Sequence, residues 1–147
     1  MTFVAHTGIG VTDLARSSRF YRELLGFEPC RTLEMPADQV TDFLALEPPG
    51  GDLKAVYLML GDFQLELLLF DPPGGNRVRE RKLNQVGLTH ISIGVESVQA
   101  VLDRLALFGG ELVSTLGDKA AMIRDPDGQF VEILEATYAA EERLRRN

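Results

Sequence analysis

Two hexapeptides constrain this chain more than any other feature. "HTGIGV" at residues 6–11 and "HISIGV" at residues 90–95 are identical at four of six positions. The chain has only two histidines, His6 and His90, and each opens one copy. Self-similarity at a fixed offset signals duplicated architecture and has to be resolved before any other reading of the fold.

The elements between the copies extend the repeat. "FVAHTGIGV" reads as a buried strand and "TDLARSSRFYRELLG" as a helix, with Asp13 as N-cap and Gly26 just past its end. Leu14, Ser17, Tyr21, Leu24 and Leu25 recur there at helical spacing. "FEPCRTLE" is a second strand and "PADQVTDFLAL" a short helix with Pro36 in its first turn. A loop at 48–52 follows. "LKAVYLML" and "FQLELLLF" then read as two strands joined at Gly61-Asp62. Residues 71–87, rich in proline, glycine and charge, mark a linker. Then the order restarts. "LTHISIGV" is a strand, and "SVQAVLDRLALFGG" a helix capped by Ser97, with Val98, Val101, Leu102 and Leu105 on one face. "ELVSTL", "AAMIR" and "QFVEILE" are strands, the last two separated by a "DPDG" turn. The pattern predicts one α+β domain over 1–147, built of two βαβββ modules at about 3–70 and 88–136. The linker spans 71–87, and a polar tail, helical in pattern, spans 137–147.

The repeat also aligns polar residues. "QLELL" at 64–68 matches "FVEIL" at 130–134, setting Glu66 opposite Glu132. Each module therefore carries one histidine at the start of its first strand and one glutamate inside its last. A carboxylate among Leu65, Leu67, Leu68 and Leu69, or between Val131 and Ile133, is costly unless paired, metal-bound or facing a wet cavity. Taken alone, each residue reads as well as a satisfied strand residue. Matching positions in both halves point instead to His6, Glu66, His90 and Glu132 as ligands of one divalent metal, of the kind imidazole and carboxylate suit: Zn, Ni, Co, Mn or Fe.

Composition narrows the partners. The net charge of −7 argues against nucleic acid or an anionic membrane surface. The most apolar stretch is broken by Gly61, Asp62, Gln64 and Glu66, so no membrane span is expected. A single cysteine, Cys30, and no basic-then-apolar leader fit a cytoplasmic protein.

"HTGIGVTDLARSSRFYRELLGFE", "FQLELLLF", "LTHISIGVESV" and "RDPDGQFVEILE" together resemble the vicinal oxygen chelate superfamily of glyoxalases, extradiol dioxygenases, methylmalonyl-CoA epimerases and bleomycin- and fosfomycin-resistance proteins. The resemblance runs from about residue 3 to residue 136. It implies paired βαβββ modules forming a cupped sheet around a metal held by His6, Glu66, His90 and Glu132, and a homodimer. It further implies a small-molecule substrate with vicinal oxygens and lyase or isomerase chemistry through a metal-stabilised enolate, with Glu66 or Glu132 as the base. An extradiol-type dioxygenase and a non-catalytic, antibiotic-resistance-like binding protein are the alternatives. The dioxygenases of the family use further histidines for proton transfer, and this chain has no third. Glutathione-dependent glyoxalases carry an arginine four residues after the first ligand and an asparagine four after the next glutamate. Gly10 and Phe70 stand there instead. Arg124 and Tyr57 complete the expected site as substrate-binding residues. The alternatives for them are a solvent-facing arginine beside the turn and a buried strand tyrosine.

Overall fold

The computed structural model describes residues 1–46, 51–74 and 80–144. Residues 48–50 of the expected loop, 75–79 of the expected linker and 145–147 of the tail lie outside them. The chain divides into two compact units, Met1–Asn76 and Arg77–Asn147.

The first unit runs β1 (Thr7–Gly10), α1 (Leu14–Arg19, continued by a π-helical turn over Phe20–Leu24), β2 (Glu28–Met35), α2 (Ala37–Leu44), β3 (Asp52–Leu60) and β4 (Phe63–Asp71). Its sheet has the order β1-β4-β3-β2, with β1 parallel to β4 and the other pairs antiparallel. The second unit repeats this with β5 (His90–Val95), α3 (Val98–Leu105, continued by a 3-10 turn over Ala106–Phe108), β6 (Glu111–Leu116), β7 (Ala120–Arg124) and β8 (Phe130–Glu135), in the order β5-β8-β7-β6. A terminal helix, α4 (Ala136–Leu144), follows. Two βαβββ modules are therefore present, and the fold is α+β.

Both module helices start on the expected caps. The Asp13 carboxylate accepts from the Arg16 N–H at 3.0 Å, and the Ser97 hydroxyl from the Ala100 N–H at 3.2 Å. Gly26 and Gly109 follow the helical segments at φ 80° and 76°, a left-handed conformation that costs glycine little.

Alternation then gives each sheet two unlike faces. In the first, Ile9, Leu67, Leu65 and Leu58 are buried together with Phe20 and Tyr21 of the helical segment. Burying each such side chain contributes about 1.5–3 kcal/mol. In the second, Ile93, Val131, Ile133 and Ile123 are buried with Val98, Val101 and Leu105, while Leu102 is only half-buried. The opposite faces carry the polar residues.

The strand expected over residues 3–11 is shorter than its apolar run. Residues 3–6 are exposed and only Thr7–Gly10 is strand. Pairing with β4 covers Thr7 to Gly10, and Val11 adds one bond from its N–H to the Leu68 carbonyl. Phe3 and Val4 have no ladder to join, so their apolar character does not extend the strand.

Candidate metal ligands in two matching His–Glu pairs

The four polar residues picked out by the repeat fall into two pairs, one in each unit. In the first, Gly8 of β1 pairs with Glu66 of β4, which pairs with Tyr57 of β3, which pairs with Arg31 of β2. Residues in register share a face, so this row crosses the whole sheet on the side away from α1. His6 lies two residues before Gly8, and its Nε2 stands 3.1 Å from Glu66 Oε2. In the second unit the corresponding row is Ser92, Glu132, Met122 and Ser114. There His90 Nε2 lies 3.7 Å from Glu132 Oε2.

Both rows end on a bulge. Pro29 pairs with Leu58 and Arg31 with Tyr57, so Cys30 is the extra residue; in the second sheet Leu112 pairs with Ile123 and Ser114 with Met122, so Val113 is. A bulge re-aims the side chain beside it. Here it brings Arg31 and Ser114 onto the polar rows.

The pairs differ in their surroundings. The Glu66 side chain is only 8% exposed, and the Tyr57 hydroxyl donates to it. Burial first, then the hydrogen bond and charge of Glu66, raise the Tyr57 pKa above its ordinary value against the opposing charge and hydrogen bond of Arg31, so the phenol keeps its proton and stays a donor. Tyr57 also meets the His6 ring edge to face at 5.6 Å. Glu132 is 32% exposed, and its Oε2 accepts a 2.6 Å hydrogen bond from the Ser92 hydroxyl. The first module has no such donor because Gly8 occupies that place. A Cβ on Gly8 would come within 2.9 Å of Leu68 Cδ1 and 3.4 Å of Glu66 Oε2. His90 is set from behind by a 2.9 Å contact between its Nδ1 and the Thr89 hydroxyl. With Nδ1 as the donor, Nε2 offers its lone pair toward Glu132, the arrangement of metal-ligating histidines. A cavity of about 160 Å³ opens beside Glu132, lined also by Ser114, Thr115, Leu116 and Met122.

Of the two expected substrate-binding residues, Tyr57 lies in the row with Glu66. Arg124 is engaged otherwise. Its guanidinium donates to the Gly128 carbonyl at 2.6 Å and the Arg81 carbonyl at 3.0 Å, and lies 3.8 Å over the Phe130 ring. It thereby ties residue 81 to the Asp125–Gly128 turn. That turn is closed by buried Asp125, whose Oδ1 accepts from the Asp127 and Gln129 N–H groups. Among the described residues no three His, Cys, Asp or Glu side chains gather at one point. Each unit by itself brings one pair.

Arg31 and Ser92, which lie in these rows, are not among the site residues the sequence predicts. Ser92 had a visible signal: it replaces Gly8 when the two hexapeptides are aligned. Arg31 had none, because its face depends on the Cys30 bulge.

No helix among the described residues is long and apolar enough to cross a membrane. The chain is 28% identical over 145 residues to a probable lactoylglutathione lyase of Synechocystis sp., covering 92% of this chain and 96% of that one. Among solved structures, the trypanothione-dependent glyoxalase I of Leishmania major matches with a TM-score of 0.69 at 24% identity, over 99% of this chain and 95% of that one. A mutant of the fosfomycin resistance protein FosX from Listeria monocytogenes, complexed with Mn(II) and 1S,2S-dihydroxypropylphosphonic acid, matches with a TM-score of 0.61 at 16% identity, over 96% and 98% of the two chains. The model of the glyoxalase/bleomycin resistance protein/dioxygenase superfamily matches residues 3–133, and with two βαβββ modules in place the chain belongs to that superfamily.

Proposed function

We propose that this chain is a metal-dependent lyase or isomerase of the glyoxalase type, acting on a small carbonyl compound with vicinal oxygens. The observation that carries the reading is the repeated pair: an imidazole Nε2 facing a glutamate Oε2 at equivalent places in both sheets. The donor chemistry fits a divalent ion. Two adjacent ligands with bonds of about 2.1 Å at right angles stand about 3 Å apart. The 3.1 Å separation of His6 and Glu66 matches that, and the 3.7 Å of His90 and Glu132 needs well under 1 Å of closure. In this reading His6, Glu66, His90 and Glu132 hold one Zn, Ni, Co, Mn or Fe ion, the two pairs coming from one chain or, by exchange of modules, from two copies. The lyase-named relative and the Mn(II)-bound FosX mutant with its dihydroxy ligand support the same reading.

A divalent ion held there supplies Lewis acidity to a carbonyl oxygen of the substrate. The chain's side chains do the rest. Glu132 is the base that takes the proton from the carbon beside the carbonyl. It is the more exposed of the two carboxylates and is tethered by one serine hydroxyl. Glu66 stays in place, buried and held by the Tyr57 hydroxyl. The cavity beside Glu132 has room for a small substituent. Gly10 and Phe70, standing where glutathione-dependent glyoxalases carry their anchors, favour a substrate other than a glutathione adduct.

The test is proton exchange in D₂O. Protein loaded with Ni, Co or Zn is incubated with a panel of 2-hydroxy and 2-keto carbonyl compounds. Deuterium should enter at the carbon beside the carbonyl with the wild type and not with Glu132→Gln. Tight binding of such compounds without exchange above background would assign the protein to the binders and sink the enzyme reading.

A further inference from the structure

We propose that Arg31 anchors an anionic group of the substrate, so that the site takes a compound carrying a carboxylate, phosphate or phosphonate beside its vicinal oxygens. This inference rests on the metal reading above. Arg31 stands in the row that holds Glu66, and the Cys30 bulge puts it there. Arg31 is an exposed charge on an edge strand. Its guanidinium carbon lies 3.4 Å from the centre of the Tyr57 ring. That ring in turn meets His6, and its hydroxyl bonds Glu66.

Stacking on an aromatic face fixes the plane of a guanidinium while leaving its N–H edge available, the geometry of bidentate carboxylate and phosphate recognition. Arg31 remains exposed, and no carboxylate pairs with it among the described residues. Held by the ring and hydroxyl of Tyr57 but with no carboxylate partner among the described residues, Arg31 is a pre-oriented cation beside two metal-ligand candidates in a chain of net charge −7. Tyr57 occupies the strand between β2 and β4, so the guanidinium over its ring lies about one strand spacing, roughly 5 Å, from the Glu66 strand. That spacing suits an anion two to four bonds from the chelating oxygens. The second module places neutral Ser114 at the equivalent point, so the anion site belongs to the first module alone.

The probes are two hydroxamates, which chelate a metal through vicinal oxygens: phosphoglycolohydroxamate, which adds a phosphate, and acetohydroxamate, which adds only a methyl group. Their affinities for the metal-loaded full chain are measured by calorimetry. The wild type should bind the phosphorylated probe at least tenfold more tightly. Arg31→Gln should abolish that preference while leaving acetohydroxamate affinity unchanged, which also shows the variant to be folded, and Arg31→Lys should restore part of it. Equal affinity of the wild type for both probes, or a preference that survives Arg31→Gln, overturns the anchor and leaves the metal reading standing. Failure of acetohydroxamate to bind the metal-loaded wild type removes the metal reading and the anchor together.

Discussion

Glu66 and Glu132 occupy equivalent places but differ in what holds them. One is buried beneath a tyrosine hydroxyl, and the other is a third exposed and held by a serine. Glu132→Gln should therefore lower proton exchange by about 10²–10⁴-fold, the usual worth of a positioned base. Deuterium incorporation followed by NMR reads this directly. Behind His90, the Thr89 hydroxyl lies 2.9 Å from Nδ1 and holds the ring from the side away from Glu132. Thr89→Val should weaken metal binding by about 10–100-fold with His90 intact, measured by competition with a chelator. An unchanged affinity would show that the Thr89 contact does not orient the ligand. The four polar residues stand out in the sequence because duplication displays each type twice, and the structure pairs them His6 with Glu66 and His90 with Glu132. The Arg31 position was not legible in the sequence, since a bulge arises from twist and cross-strand packing rather than from local composition. Nor was the commitment of Arg124 to the Gly128 and Arg81 carbonyls, because turn geometry decides which acceptors lie within its reach.

At the scale of elements, the duplicated helices and sheets follow from caps and alternation that the sequence states openly. Asp13 and Ser97 begin the helices, Gly26 and Gly109 end their helical extensions, and the strands alternate between a helix-covered apolar face and a polar one. Asp13→Ala and Ser97→Ala should each cost about 0.5–2 kcal/mol in urea unfolding, the range for a lost N-cap. The apolar run from Phe3 predicts a longer first strand than the four residues, Thr7–Gly10, that pair with β4. Leu65→Ala or Leu67→Ala should cost about 2–5 kcal/mol, since both side chains are fully buried beneath the polar row. Because the row stands on these leucines, metal affinity should fall with them even though neither touches the site.

For the molecule as a whole, superfamily membership fixes the architecture and leaves the chemistry open among lyase, isomerase, dioxygenase and binder. The chain has no histidine beyond the two paired with glutamates to serve as an acid–base partner for a catechol. Fe(II)-loaded protein given catechols in air should show no oxygen uptake and no yellow ring-cleavage product. Rapid Fe(II)-dependent uptake would favour the dioxygenase reading instead. On the proposed function, the two His–Glu pairs, one from each module, supply the ligands of a single ion. X-ray absorption of the Zn-loaded protein at the metal edge tests it most directly. The account predicts one tightly held zinc per chain, nitrogen and oxygen ligands at about 2.0–2.2 Å, scattering from two imidazoles, and loss of one imidazole in either His6→Ala or His90→Ala. A spectrum with one imidazole, with sulfur from Cys30, or unchanged by either substitution would contradict it.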